Sequence, residues 1–184
     1  MQRVGVCVFC GSYAGFNPAY IAAARELGAL LATESFDVIY GGAADGCMGA
    51  LADGALSRDG QVTGVAPPFV NALEHRHRGL THWEGVANLA QRKLRMLDLS
   101  KGVIVLPGGT GTLDEFLEVL TMKRLALVLH PLIVIDVAGF FRPLHSLLQH
   151  LIESGFAGSE QLSLYRIVAD PPSAINALRE AFPL

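Results

Sequence analysis

Three observations predict an α/β fold, a single-domain, Rossmann-like doubly wound parallel sheet with helices on both faces over residues 1–184. Short apolar, β-branched runs alternate with segments of helical spacing. The runs end in glycine or proline. Hydrophobic residues make up 51% and charged residues 17% of the 184, a balance suited to one compact domain with a largely buried sheet. Strand–helix alternation implies parallel strands joined by right-handed crossovers.

The elements follow in order. VGVCVFCGS is a strand running into Gly11 and Ser12, and PAYIAAARELGALLATE is a helix opened by Pro18. DVIYGG and GCMGALADGALSRDG repeat that pattern, and QVTGVAP is a third strand. A loop with Pro67, Pro68 and His75-Arg76-His77-Arg78 leads through LTHW into the helix VANLAQRKLRMLDLS. GVIVLPGG is the clearest strand, β-branched and stopped at Pro107. LDEFLEVLTMKRLAL is a helix, PLIVID a strand, FRPLHSLLQHLIESG a helix, YRIVAD a strand and PPSAINALREAF a closing helix.

In such folds ligands bind beyond the carboxyl ends of the strands. Three glycine-bearing loops fall at that edge: Cys10-Gly11-Ser12, Gly41-Gly42 through Gly49, and Gly108-Gly109-Thr110-Gly111-Thr112. Glycines allow close backbone approach, and helix N-termini offer free N–H groups and a positive dipole end, so a nucleotide or sugar-phosphate site is expected. The lysine-bearing ATP loop G-x-x-x-x-G-K-[ST] is absent, and GTGTLD lacks the third glycine of the dinucleotide fingerprint. Thr112-Leu113-Asp114-Glu115 also matches a capping box, in which Thr112 caps the helix and Glu115 reaches back to it.

Other features bound the function. A net charge of −3 argues against broad attraction to nucleic acid or anionic lipid. Cys7, Cys10 and Cys47 form no disulfide framework, and with no signal-peptide pattern at the N-terminus a cytoplasmic setting is expected. Cys7 and Cys10 lie in a strand, where alternation points them to opposite faces. LALVLHPLIVIDVAGFF is broken by His130, Pro131 and Asp136 and is not a membrane span. The histidines of the 75–78 stretch alternate with arginines, with Glu74 the one carboxylate nearby, so no metal is expected there. That stretch reads as an exposed loop able to close over a substrate phosphate. Met48 and Met96 read as core packing.

PGGTGTLDE, with FCGSYAGFNPAY, GGAADGCMGA and QRKLRM, resembles the Lonely Guy (LOG) family of cytokinin-activating phosphoribohydrolases, often labelled lysine decarboxylases. The resemblance runs from Val4 to about Phe156. It implies hydrolysis of the N-glycosidic bond of a purine nucleoside 5′-monophosphate to free base and ribose 5-phosphate, without a cofactor. It also implies catalytic roles for Arg92 and Glu115. Gly108, Gly109, Thr110, Gly111 and Thr112 would hold the phosphate, with Ser12, Gly41, Gly42 and Lys93 completing the substrate site. A homodimer with the active site near its interface is a further implication. The chain departs from the family pattern at Ala43, Leu89, Ala90, Gln91 and Met122, which flank the site and bear on base preference. The alternative is a non-catalytic carrier of a nucleotide or nucleotide-like cofactor on the same fold.

Overall fold

The computed structural model describes residues 3–70 and 75–182. Along the chain run β1 (Val4–Phe9), α1 (Pro18–Thr33), β2 (Phe36–Tyr40), α2 (Gly46–Leu56), β3 (Val62–Ala66) and β4 (His82–Gly85). There follow α3 (Leu89–Asp98), β5 (Gly102–Val105), α4 (Thr110–Arg124), β6 (Leu132–Ile135), α5 (Arg142–Glu153), β7 (Arg166–Val168) and α6 (Pro171–Ala181). The strands form one seven-stranded sheet in the order β4-β3-β2-β1-β5-β6-β7, every neighbouring pair parallel.

The period of two along a strand sorts the core into two layers. Val6, Val8 and Cys10 pack with the apolar faces of α1, α2 and α6, whereas Cys7 and Phe9 pack with those of α3, α4 and α5. The expected opposition of Cys7 and Cys10 is therefore present. The chain steps outward from β1 to β2 and β3 with helices on one face, then returns to β5 and continues to β6 and β7 with helices on the other. Right-handed crossovers require that change of face when the direction of travel reverses. The reversal falls between β1 and β5, and it is the switch point of the sheet.

Helix starts follow local chemistry. The Asn17 side chain accepts from the Ala19 N–H at 3.0 Å just before Pro18. Asn88 accepts from the Gln91 N–H at 2.9 Å, and Asp170 from the Ser173 N–H at 2.8 Å. These caps anchor α1, α3 and α6. Helices α1 and α2 pack at close range because each presents a glycine: a Cβ on Gly28 would lie 2.0 Å from Leu51 O, and one on Gly54 2.0 Å from Arg25 O.

Two expectations need correction. LTHW does more than lead into a helix: His82–Gly85 is β4, an edge strand paired with β3. Its residues, His-Trp-Glu-Gly, are half-exposed or exposed, as an edge position permits, so no apolar run marked it. The capping box is the second correction. Helix α4 begins at Thr110 behind Gly109, without a side-chain cap, and its first turn closes with Leu113 N–H to Gly109 O at 3.1 Å. Thr112 is inside the helix, and Glu115 lies in its second turn.

Candidate active site

The pocket forms where β1 and β5 deliver their C-terminal loops side by side. The Gly11 N–H donates to Pro107 O and the Met48 N–H to Gly11 O, both at 3.1 Å, so one residue joins both loops to the start of α2. Gly108 must lack a side chain here, since a Cβ would sit 2.2 Å from Thr112 Oγ1 and 2.7 Å from Gly11 N. Gly109 and Gly111 differ: beyond their chain neighbours and the helix's own backbone, no atom of the described residues lies within 4 Å of a Cβ position on either, so tertiary packing does not demand glycine there. Those glycines instead leave the helix end open on the pocket side, where the N–H groups of the first turn lack intrahelical acceptors.

The pocket has a volume of about 350 Å³, within the lower range for small-molecule sites. The residues brought together in its walls include Ser12, Arg92, Gly108, Gly109, Thr110, Gly111, Thr112 and Glu115, all expected from the sequence. Cys10, Tyr13, Tyr20, Cys47, Met48 and Phe140 also line it. Met48 therefore has a second face besides its core contacts, whereas Met96 is fully buried. Phe140 arrives from beyond β6 and packs edge-on against Tyr20 at 5.6 Å. Tyr20, in the first turn of a helix following a glycine loop, carried a usable positional signal; Phe140 carried none.

Arg92 and Glu115 are the two buried charged residues among those described, 8% and 7% exposed. Arg92 Nη2 stands 3.8 Å from Glu115 Oε1, with Arg92 on α3 and Glu115 on α4. Arg92 Nε is buried without a hydrogen-bond partner among the described residues. A buried donor in that condition is costly unless a ligand or water meets it.

Gly41, Gly42 and Lys93 lie outside the pocket walls, and each has another physical task. A Cβ on Gly41 would fall 2.0 Å from Arg92 Nη2, so this glycine makes room for the guanidinium. Gly42 has φ +85°, and its missing side chain leaves space for the Trp83 ring. Lys93 Nζ pairs with Asp114 Oδ2 at 2.8 Å and with Glu118 Oε2 on α4. Burial lowers the Lys93 pKa, but the hydrogen bonds it donates to those two carboxylates outweigh it and hold it above the ordinary lysine value.

The 75–78 stretch also lies away from the pocket. It straps the β2–α2 turn, with His75 O accepting from Ala44 N–H at 2.7 Å and His77 N–H donating to Gly42 O at 2.9 Å. Arg76 stacks over Trp83 at 4.2 Å, His75 meets Asp45 and His77 meets Asp53. Glu74 lies outside the described residues. The three thiols are buried, and burial is the first cause that pushes all of them up, Cys47 to about 11. They stay protonated at neutral pH and are poor nucleophiles.

Fold and pocket together define a Rossmann-like α/β protein with a pocket at the switch point of its parallel sheet. The sequence profile of the family described as "Possible lysine decarboxylase" matches residues 48–178. The cytokinin riboside 5′-monophosphate phosphoribohydrolase of Rhodococcoides fascians is 38% identical over 175 residues, which cover 95% of this chain and 88% of that protein. The Arabidopsis thaliana enzyme of the same name, LOG1, is 36% identical over 95% of this chain and 81% of its own length. This chain belongs to the Lonely Guy family. Among solved structures, the molybdenum cofactor carrier protein of Chlamydomonas reinhardtii superposes with a TM-score of 0.77 at 19% identity, covering 100% of both chains. The molybdenum cofactor binding protein of Rippkaea orientalis gives 0.73 at 21% identity over 98% of each. At those identities the likeness is one of fold.

Proposed function

We propose that this protein hydrolyses the N-glycosidic bond of purine nucleoside 5′-monophosphates, with adenine or a cytokinin-type N6-substituted adenine as base, releasing free base and ribose 5-phosphate. The observation that carries the reading is the buried Arg92–Glu115 pair on the wall of a pocket whose other wall is a glycine-lined helix N-terminus. The relatives named above support it.

In this reading the N–H groups from Gly109 to Thr112, with Ser12 opposite, hold the 5′-phosphate. Anchoring the phosphate places the ribose toward Glu115. Breaking the bond at the anomeric carbon builds oxocarbenium-like positive charge, which the Glu115 carboxylate stabilises while orienting the attacking water. The water oxygen bonds to the anomeric carbon, the base leaves with the bonding electron pair, and a proton follows to the base. Arg92 stays protonated, so it acts as a fork of donors that orients Glu115 and the substrate and takes no part as a base. Gly41 contributes by leaving the guanidinium its place.

The decarboxylase label in the family's description calls for a lysine that binds pyridoxal phosphate as a Schiff base. Lys93, Lys101 and Lys123 are the lysines of the chain, and none lines the pocket. Lys93 is tied to two acids, and its raised pKa runs against that use, because Schiff-base lysines need a lowered one. Lys123 has a pKa lowered by burial, but it donates to His130 O just before β6, at the amino-terminal end of the strands and outside the pocket wall.

The proposal extends to a single domain over residues 1–184 acting as a cytoplasmic homodimer that does not engage nucleic acid or membrane. Exposed Leu117, Leu125, Leu127 and Leu129 on and after α4 support the dimer. The net charge supports the partner range, and no helix among the described residues is long and apolar enough to cross a membrane. The test is incubation of the pure protein with AMP and with N6-substituted AMP. Free base and ribose 5-phosphate are expected. AMP binding without either product would replace the hydrolase reading with the carrier.

A further inference from the structure

Helix α4 carries Asp114, Glu115 and Glu118 within its second and third turns. Asp114 and Glu118 are four residues apart and share a face, and like charges so placed repel. Lys93 Nζ lies between their carboxylates, at 2.8 Å from Asp114 and in contact with Glu118, whose Oε2 is buried. Its neighbour Arg92 stands against Glu115 instead. Adjacent residues of α3 thus address different acids of α4.

We propose that Lys93 is a positioning residue that neutralises Asp114 and Glu118, so that Glu115 keeps its negative charge and Arg92 remains committed to it. The catalytic meaning of this assignment rests on the hydrolase reading; the electrostatic assignment does not. Among the described residues, the charged and titratable groups near Glu115 include Arg92 and Lys93 from α3, Asp114 and Glu118 on α4, the Cys7 and Cys10 thiols from β1 and its end, and Tyr13, Tyr20 and Cys47 in the same pocket wall. Burial keeps the Cys7 and Cys10 thiols neutral, whereas Asp114 and Glu118, one residue before and three after Glu115 on the same helix, carry charge. With Lys93 removed, those acids raise the proton affinity of Glu115 and compete for the Arg92 guanidinium.

The test is a carbon-13 NMR titration of the full chain labelled at glutamate side-chain carboxyls, with the Glu115 signal identified by its loss in Glu115→Gln. Lys93→Met should raise the Glu115 midpoint by about one pH unit. Lys93→Arg should keep the original midpoint, and adding Asp114→Asn and Glu118→Gln to Lys93→Met should restore it. If Lys93→Met fails to fold, Asp114→Asn/Glu118→Gln with Lys93 intact takes its place and should lower the midpoint. An unmoved midpoint in the variant used overturns the proposal, since a merely structural bridge would change melting and leave the titration alone. The acid limb of kcat against pH should move with the NMR midpoint. A wild-type protein that releases no base would refute the hydrolase reading, and the titration would still decide the role of Lys93.

Discussion

Glu115→Gln removes one negative charge and almost no volume from a site 7% exposed. Glutamine keeps the shape and one acceptor oxygen of the side chain, so melting should stay within about 4 °C of wild type. Base release should fall about 10²–10⁴-fold, the range for losing a carboxylate that works on water and the developing cation. Retained turnover would remove Glu115 from the mechanism. Arg92 and Glu115 stand out in the sequence through the resemblance of QRKLRM and PGGTGTLDE to the family's motifs; residue pattern alone reads Glu115 as a cap. The use of Gly41 was not readable: its need for hydrogen in place of a side chain comes from Arg92, remote in sequence and adjacent in space. The same holds for Phe140, which reaches the pocket through the tertiary fold alone.

At the scale of elements, local signals were dependable where backbone chemistry is local. Pro18 and Asn17 open α1, and Val103, Ile104 and Val105 make β5 recognisable by β-branching. Signals weakened where a neighbour supplies the order: β4 is a strand because β3 offers it a ladder, and Thr112 resembles a cap although the glycine turn starts the helix earlier. The α1–α2 contact gives a sharp prediction at this scale. Gly28→Ala would favour helix α1 by propensity, yet its methyl would meet Leu51 O at 2.0 Å. Overpacking should win, lowering stability by about 1–3 kcal/mol in a denaturant titration. A neutral or stabilising result would show that the two helices separate freely.

For the whole molecule, the two-layer core predicts how alkali acts. The thiols of Cys7, Cys10 and Cys47 are held protonated in the folded state, first by burial. A folded-state pKa raised above the unfolded value contributes stability that is complete below the unfolded pKa and lost as pH rises through the folded one. For Cys47 that window runs from 9.0 to about 11. Melting temperature should therefore decline across that window, and Cys47→Ala should flatten the decline; an equal slope in the variant would sink the attribution. The parallel sheet has one more consequence. Phe9 is in register with Val105, so the two loops that build the pocket come from opposite halves of the chain. A growing polypeptide cannot assemble this site until β5 and the first turn of α4 have emerged from the ribosome. Loop closure across that separation delays the pocket relative to the local α1–α2 pairing, which makes ligand capture a late event in the life of each newly made molecule.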